Sequence, residues 1–353
     1  MKVCHVTNFL PGYHETWGGA EQACLRLANS QVKAGLDVVV LSTTPSKKVK
    51  EDFAWYPVKT LNDFASKSIA RKLVAIKKRW IPVDPVALVF ALKTLSRIKP
   101  DLVHFHNFDS LSYSMLAAAK TLKIPTAWTV YDYLSFCILE VLTDPQGKPC
   151  RKFHGRQCAK CIKFGRLDAL QKQLLPVRKA LYDFFSKKFD AYVALSNSSK
   201  KILQEYGIPS RKIHVVPLTF LKSHKPSKLK RNYQILFVGW IEKRKGLKVL
   251  LNALPFVVKK FPKTRLFVAG TVSDKQYYRE CFELISSKNL SKNVKWLGKI
   301  PHVKVQELLR LSNVVVVLEQ WENMSPVFLS EAMSFGKPIV ASRIGGIPDL
   351  VQD

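Results

Sequence analysis

The residues best equipped for chemistry fall in two stretches of the second half of the chain. Gly239-Trp-Ile-Glu-Lys-Arg-Lys-Gly246 sets Lys243, Arg244 and Lys245 between two glycines, after an apolar run and before an amphipathic one. Gly239 permits close backbone approach. The cations crowd a helix start, where unpaired N–H groups and the helix dipole also favour negative charge. A diphosphate suits that combination; a solvated basic turn is the plain alternative in a lysine-rich chain. Further on, Glu319-Gln-Trp-Glu-Asn-Met-Ser-Pro-Val-Phe-Leu-Ser-Glu331 follows another apolar run, with Pro326 suited to the first turn of a helix. Carboxylates flanking such a turn can hold hydroxyl groups while its N–H groups hold phosphate.

The first half offers smaller constellations. Gly18-Gly19-Ala-Glu sits where a strand and loop give way to a helix, which fits anion contact or a tight turn equally well. In Asp-Leu-Val-His-Phe-His106, strand alternation puts His104 and His106 on one face, near the strand end where open α/β sheets bind ligands. Either histidine could donate to a hydroxyl or a developing anion, or be a structural group satisfied by backbone. Cys137-x12-Cys150-x7-Cys158-x2-Cys161 lies in an insertion over 133–165 and offers four thiolates for a structural zinc ion. Arg151, Lys152, Arg156 and Lys160 are expected to lower the thiol pKa values; unligated thiols or a disulfide are the alternatives. No His/Glu set for an open catalytic metal accompanies them.

These groups need a scaffold, and the apolar pattern supplies one. Short β-branched runs at 3–7, 38–42, 101–106, 126–130 and 191–195 alternate with helix-length amphipathic stretches, and the rhythm restarts at 234–238, 265–269, 294–297, 314–319 and 338–341. Such βα alternation predicts parallel sheets covered by helices on both faces. Between the two series lies Lys-Ser-His-Lys-Pro-Ser-Lys-Leu-Lys-Arg, a basic linker at 222–231 dividing domains at 1–221 and 232–353.

The chain has 353 residues, 47% of them hydrophobic, enough for two domains and too apolar for wholesale disorder. No apolar run approaches the ~20 residues of a membrane span, and the N-terminus reads as a first core strand, so a soluble intracellular chain is expected. Lys and Arg number 57 against 26 Asp and Glu, a net charge of +31 that draws nucleic acid, anionic lipid or phosphorylated ligands. Residues 67–81 contain no acid and align Ile69, Leu73, Ile76 and Trp80 on one helical face, as an interfacial membrane helix or a packed amphipathic one would. The basic residues are spread over both halves without a recognisable nucleic-acid module, which leaves nucleic acid the weakest of the three partners.

Taken in order, Gly18-Gly19-Ala-Glu, Asp101…His106, Ser196-Asn-Ser, Gly239…Lys245-Gly246, Glu322…Glu331-Ala-Met…Gly-Lys-Pro338 and Gly345-Gly-Ile-Pro-Asp resemble the retaining GT-B glycosyltransferases of family four. The resemblance covers essentially the whole chain and is most specific in the last block. It implies two Rossmann-like domains, the first binding acceptor and the second a UDP- or GDP-sugar, with the active site in the cleft between them and no metal in the transfer step. By the same resemblance, His106, Lys245 and Glu322 form the catalytic set. Gly18, Gly19, Gly239, Arg244, Asn323, Met324, Ser325 and Pro326 line the donor. Gly298, Lys299 and Ile300 offer backbone groups to the base, Glu331 binds the ribose, and Asp132 and Ser196 lie on the acceptor side.

The chain departs from that pattern in four places. Glu322 and Glu331 stand one residue further apart than usual, Trp240 replaces an arginine, Tyr131-Asp132 replaces a His-Asp pair, and the sequence stops at Asp353 where the family normally continues, as if truncated. The expected activity is hexosyl transfer to a glycan or lipid-linked acceptor by a cytoplasmic protein, peripheral on the inner face of a membrane. A noncatalytic GT-B subunit, another GT-B activity such as an epimerase or glycogen-type synthase, and a basic zinc-containing nucleic-acid-binding protein are the alternatives.

Overall fold

The computed structural model describes all residues except 15–17, 46–50, 65–67, 70–79, 163–171, 219–223, 225–232 and 352–353. By internal contacts the chain divides into Met1–Val216 and Pro217–Asp353. The division falls a little before the expected boundary at 221. Of the expected linker only His224 is described, stacked on Phe335 at 3.9 Å between ring centroids. The candidate membrane helix at 67–81 lies almost wholly outside the described residues.

The first unit runs β1 (Lys2–Val6), α1 (Gly19–Lys33), β2 (Asp37–Ser42), β3 (Ala54–Pro57), α2 (Pro85–Ile98), β4 (Leu102–Phe105), α3 (Ser114–Thr121), β5 (Thr126–Thr129), α4 (Leu175–Ser186), β6 (Ala191–Ala194), α5 (Asn197–Glu205) and β7 (Ile213–Val215). Its sheet is parallel, in the order β3-β2-β1-β4-β5-β6-β7. β1 and β2 are buried on both faces, which explains their nearly unbroken apolar runs. Helix ends follow local chemistry. Asp84 caps α2 by accepting from the Ala87 N–H at 3.0 Å, with Pro85 at the first helical position. Gly35 takes the left-handed conformation (φ 82°) just after α1.

The second unit runs β8 (Gln234–Val238), α6 (Leu247–Lys260), β9 (Arg265–Ala269), α7 (Lys275–Ser287), β10 (Val294–Gly298), α8 (His302–Leu311), β11 (Val314–Val317), α9 (Val327–Ser334) and β12 (Ile339–Ala341). The sheet is again parallel, in the order β10-β9-β8-β11-β12. Leu247, Leu251, Leu266 and Cys281 fill the core on one face; Leu236, Leu309, Leu329 and Phe335 fill it on the other.

Both sheets are doubly wound from a central strand. The order reverses between β1 and β4 in one unit and between β8 and β11 in the other, and the crevice beyond the strand ends at such a reversal is where open α/β sheets take ligands. That topology, not proximity in sequence, brings 239–246 alongside 318–326.

Candidate functional site

In the second unit, two loops are stitched together at the reversal. The Gln320 N–H donates to the Arg244 carbonyl at 2.7 Å. Gly246 adopts φ 73°, and a Cβ there would lie 2.0 Å from the Leu318 carbonyl oxygen, so only glycine fits. A Cβ on Gly239 would meet nothing closer than the Lys245 side chain at 3.7 Å, an ordinary contact. The fold therefore does not demand glycine at 239, and the space beside Lys245 stays open to a ligand.

Lys245 does not stand as a bare cation. Its Nζ donates to Glu319 Oε1 at 2.7 Å, and the other carboxylate oxygen accepts from Trp321 Nε1 at 2.6 Å. Glu319 is only 5% exposed in its side chain. Arg244 is paired as well, through Nε to Glu242 at 2.6 Å, with its guanidinium 4.9 Å from the centre of the Trp321 ring. The carboxylate holding the key lysine is thus Glu319, which lies three residues before the expected Glu322. Glu322 itself is half-buried.

The turn after Glu322 is braced from the far loop. Gly346 N–H donates to the Asn323 carbonyl at 2.8 Å, and Gly345 (φ 59°) passes so close to Asn323 that a Cβ would come within 2.3 Å of its oxygen. Asn323 Oδ1 accepts from the Ser325 N–H; Met324, Ser325 and Pro326 are buried, and Ser325 Oγ has no hydrogen-bond partner among the described residues. Pro326 is the residue capping α9, one position earlier than expected. Glu331 is buried and bonded to His302 Nε2, a partner that no sequence signal marked. Gly298 and Lys299 are exposed and Ile300 half-buried; the Gly298 carbonyl already accepts from Gly270 N–H at 2.8 Å.

The first unit builds its site from neutral groups. Register pairs His5 of β1 with His104 of β4, and His106 lies on the same face just past the strand. His5 Nδ1 and His106 Nε2 are 2.9 Å apart, His5 Nε2 meets Gln31 Oε1 at 2.7 Å, His104 Nε2 meets Thr129 Oγ1 at 2.7 Å, and His106 Nδ1 meets Tyr131 Oη at 3.2 Å. Burial pushes His5 down to about 4 and His104 to about 3, and holds His106 well below the ordinary imidazole value. Both nitrogens of His106 are engaged inside the protein, so the polar group on its outer side is the Tyr131 phenol. A pocket beside it is lined by His106, Asp109, Tyr113, Tyr131, Asp132 and Tyr182.

Nearby, Gly18 precedes α1 with an extended backbone, and its N–H donates to Glu21 Oε2 at 2.9 Å. Gly19 is exposed at the first position of the helix. Glu21 also accepts from Asn107, and burial raises its pKa. Asp132 is half-buried and accepts from the Leu134 N–H. Ser196 is buried; its Oγ accepts from the Ser199 N–H, so its side chain is spent capping α5.

The cysteine insertion departs from expectation in its electrostatics. All four thiols are free, with Cys137 and Cys158 buried. At Cys158 and Cys161 the basic neighbours do not produce the lowered pKa that the sequence suggests. Instead burial pushes Cys158 up to about 11 and also raises Cys161, with the neighbouring thiols adding to both. Arg151 is drawn off to Glu205 at 2.8 Å, and Lys152, Arg156 and Lys160 point to solvent. Among the described residues, the set of metal-type donors lying within 4.8 Å of one another is His5, His104 and His106, not the thiols.

Two family profiles cover nearly the entire chain: Glycosyltransferase Family 4 over residues 17–219 and Glycosyl transferases group 1 over 220–353. The chain is 25% identical to a subunit of the phosphatidylinositol N-acetylglucosaminyltransferase of Arabidopsis thaliana, over all of this chain and 70% of that protein. It is 23% identical to the alpha-monoglucosyldiacylglycerol synthase of Acholeplasma laidlawii, over 94% of this chain and 78% of the synthase. Among solved structures it resembles Anabaena Alr3699/HepE in complex with UDP and glucose, at a TM-score of 0.68 and 17% identity, covering 100% of this chain and 83% of that one. The shared architecture is GT-B, α/β with two doubly wound parallel sheets. The chain belongs to glycosyltransferase family 4, with a second unit of the group 1 glycosyl transferase type.

Proposed function

We propose that this protein is a retaining, metal-independent hexosyltransferase that uses a UDP- or GDP-sugar and a glycan or lipid-linked acceptor at a membrane surface. The observation that carries the reading is the braced pair of loops in the second unit: Lys245 fixed at the start of α6 by Glu319, facing an unfilled Gly239. A diphosphate entering there meets the lysine, Arg244 and the helix N-terminus together. Glu322 and the backbone of Asn323, Met324, Ser325 and Pro326 hold the sugar, Glu331 with His302 receives the ribose, and Gly298, Lys299 and Ile300 border the base.

In the transfer step the bond from the anomeric carbon to the phosphate oxygen breaks as the acceptor oxygen bonds to the same face of that carbon. The acceptor hydroxyl proton passes to the departing phosphate oxygen. Lys245 stabilises the charge that develops on the diphosphate; positioning and charge stabilisation do the rest. In the first unit, His106 acts through the Tyr131 phenol to which it is bonded, and Asp132 lies on the acceptor side.

The membrane context has one feature in its favour. Along α4 and its leading residue, Leu174, Val177, Leu181 and Phe184 are all exposed and recur at helical spacing, and Lys188 lies 4.9 Å over the Phe184 ring. In a chain of net charge +31 this suits shallow insertion into an anionic bilayer. Among the described residues no helix is long and apolar enough to cross a membrane. The four cysteines that the sequence offers for a structural zinc ion are not gathered to hold one, since no three of the thiols lie within 4.8 Å of one another.

Incubation with a panel of UDP- and GDP-sugars in the presence of EDTA tests the reading. Transfer or hydrolysis with the donor's anomeric configuration retained is expected. Absence of both nucleotide binding and turnover contradicts it, and transfer abolished by EDTA contradicts metal independence.

A further inference from the structure

Three imidazoles meet where the first sheet reverses, and one of them, His5, has no part in the transfer chemistry. His5 on β1 is paired in register with His104 on β4, and His106 follows on the same face. The ring centroids are 5.4, 5.1 and 4.4 Å apart, a compact triangle. Each residue offers one ring nitrogen, and the three nitrogens all lie within 4.8 Å of one another. His5 Nδ1 and His106 Nε2 are 2.9 Å apart. Two nitrogens at a tetrahedral ion with bonds of about 2.0–2.1 Å stand roughly 3.3 Å apart, so only a small adjustment separates this pair from ligand geometry.

The rings are also held from outside. His5 Nε2 faces Gln31 Oε1 at 2.7 Å, His104 Nε2 faces Thr129 Oγ1 at 2.7 Å, and His106 Nδ1 faces Tyr131 Oη at 3.2 Å. Metal-ligating histidines characteristically give their other nitrogen to such an oxygen, which fixes the tautomer and aims the ring. Thr129 joins two of these supports, since its side chain is hydrogen-bonded to Tyr131 as well.

The protons balance. Gln31 Oε1 only accepts, so His5 Nε2 carries the hydrogen there, and the hydrogen between His5 and His106 sits on His106 Nε2. An ion taking that place moves this hydrogen to His106 Nδ1, where the Tyr131 oxygen accepts it. All three imidazoles stay neutral and no proton is lost. Burial favours that uncharged, ligating form. A dication inside the fold also needs a counter-charge. The buried Glu21 carboxylate supplies one, close enough to act on Tyr131.

We propose that His5, His104 and His106 bind one divalent transition-metal ion, zinc or another ion that favours imidazole, which clamps β1 to β4. A set of three imidazoles selects such ions over magnesium or calcium. Neither His5 nor His104 lines the pocket of this unit, so the clamp stands outside the transfer step and does not depend on the transferase reading.

Cobalt(II) chloride, titrated into the full chain after dialysis against EDTA and then metal-free buffer, reports stoichiometry and ligand type together. One equivalent should bind with visible d–d absorption and no thiolate-to-cobalt charge-transfer band, and zinc chloride should displace it and raise the melting temperature. His5→Phe keeps a ring without nitrogens and should weaken binding about a hundredfold or more. Gln31→Ala, at a half-exposed position on α1, removes no ligand and should weaken it by about tenfold. A variant with Cys137, Cys150, Cys158 and Cys161 all changed to Ser should bind as the wild type does. Absence of saturable binding overturns the proposal, as does a thiolate band that disappears in the cysteine variant. Unchanged affinity in His5→Phe overturns it too, or in Gln31→Ala where His5→Phe does not fold.

Discussion

The two units share one topology and furnish the equivalent crevice in opposite ways. At the β1/β4 reversal the first unit buries three uncharged imidazoles and passes hydrogen bonds from Gln31 to Tyr131. At the β8/β11 reversal the second unit leaves space at Gly239 and arranges paired ions, Lys245 with Glu319 and Arg244 with Glu242. A hydroxyl is read by oriented dipoles, which cost little to bury when each is satisfied. A diphosphate needs charge, and a cation held in readiness needs a counter-ion until the ligand arrives. The scaffold is thus neutral with respect to chemistry, and the residues on the strand ends decide what each unit can bind.

This contrast can be broken at either end. The largest effect is expected from Lys245→Ala, which removes the cation and leaves the buried Glu319 carboxylate facing the incoming phosphate. Transfer should fall by about a hundredfold to a thousandfold, and stability by about 3 kcal/mol from the stranded charge. The double substitution Lys245→Ala with Glu319→Gln should recover the stability and not the turnover, as melting and kinetics on the same samples would show.

Acidification should act next, and on the first unit. The folded pKa of His5 lies at about 4, below the ~6.5 of the unfolded chain. The unfolded state therefore binds more protons between those values, and stability falls as pH drops from about 6.5 towards 4. His5 alone accounts for about 3 kcal/mol over that window, and buried His104 and His154 act in the same direction. Urea titration at pH 7 and pH 4.5 checks the sign; equal midpoints would mean the imidazoles are not buried neutral groups.

Glu319→Gln separates charge from position in the second unit. Releasing Lys245 from its counter-ion should tighten UDP or GDP binding by about threefold, while kcat drops about tenfold because the lysine is no longer preset. A parallel loss of affinity and melting temperature would reduce Glu319 to a structural role. The smallest effect is expected from Gly239→Ala, because a Cβ there meets only the Lys245 side chain at ordinary distance. Melting should be unchanged within about 1 °C while donor KM rises, a pattern that assigns the space to ligand.

Much of this was legible in the residues. Alternating β-branched runs and amphipathic stretches are local signals, and they located most strands of both sheets. The short edge strands Ala54–Pro57 and Ile213–Val215 carry too little apolar pattern to announce themselves. The Gly239…Gly246 loop and the Glu319…Glu331 segment were recognisable as chemistry, but not their pairing. Lys245 and Glu319 meet across 74 positions because β8 and β11 are neighbours, a fact of topology that spacing along the chain does not contain. His5 was hidden in an apolar strand; a polar residue in the middle of such a run is the signal that would have found it. Cys158 and Cys161 show the opposite failure, since nearby basic residues were visible in the sequence and the burial that outweighs them was not. Ser196 stood in a family motif, and its capping bond to Ser199 already explains the residue type.

The central claim, that the second unit receives a nucleoside diphosphate at Lys245, is tested most directly by calorimetric titration of the full chain and its Lys245→Ala/Glu319→Gln variant with UDP and GDP. One nucleotide should bind the wild type at a single site, and the variant, with its fold verified by melting, should bind it at least tenfold more weakly. Equal affinity in the two proteins would contradict the assignment.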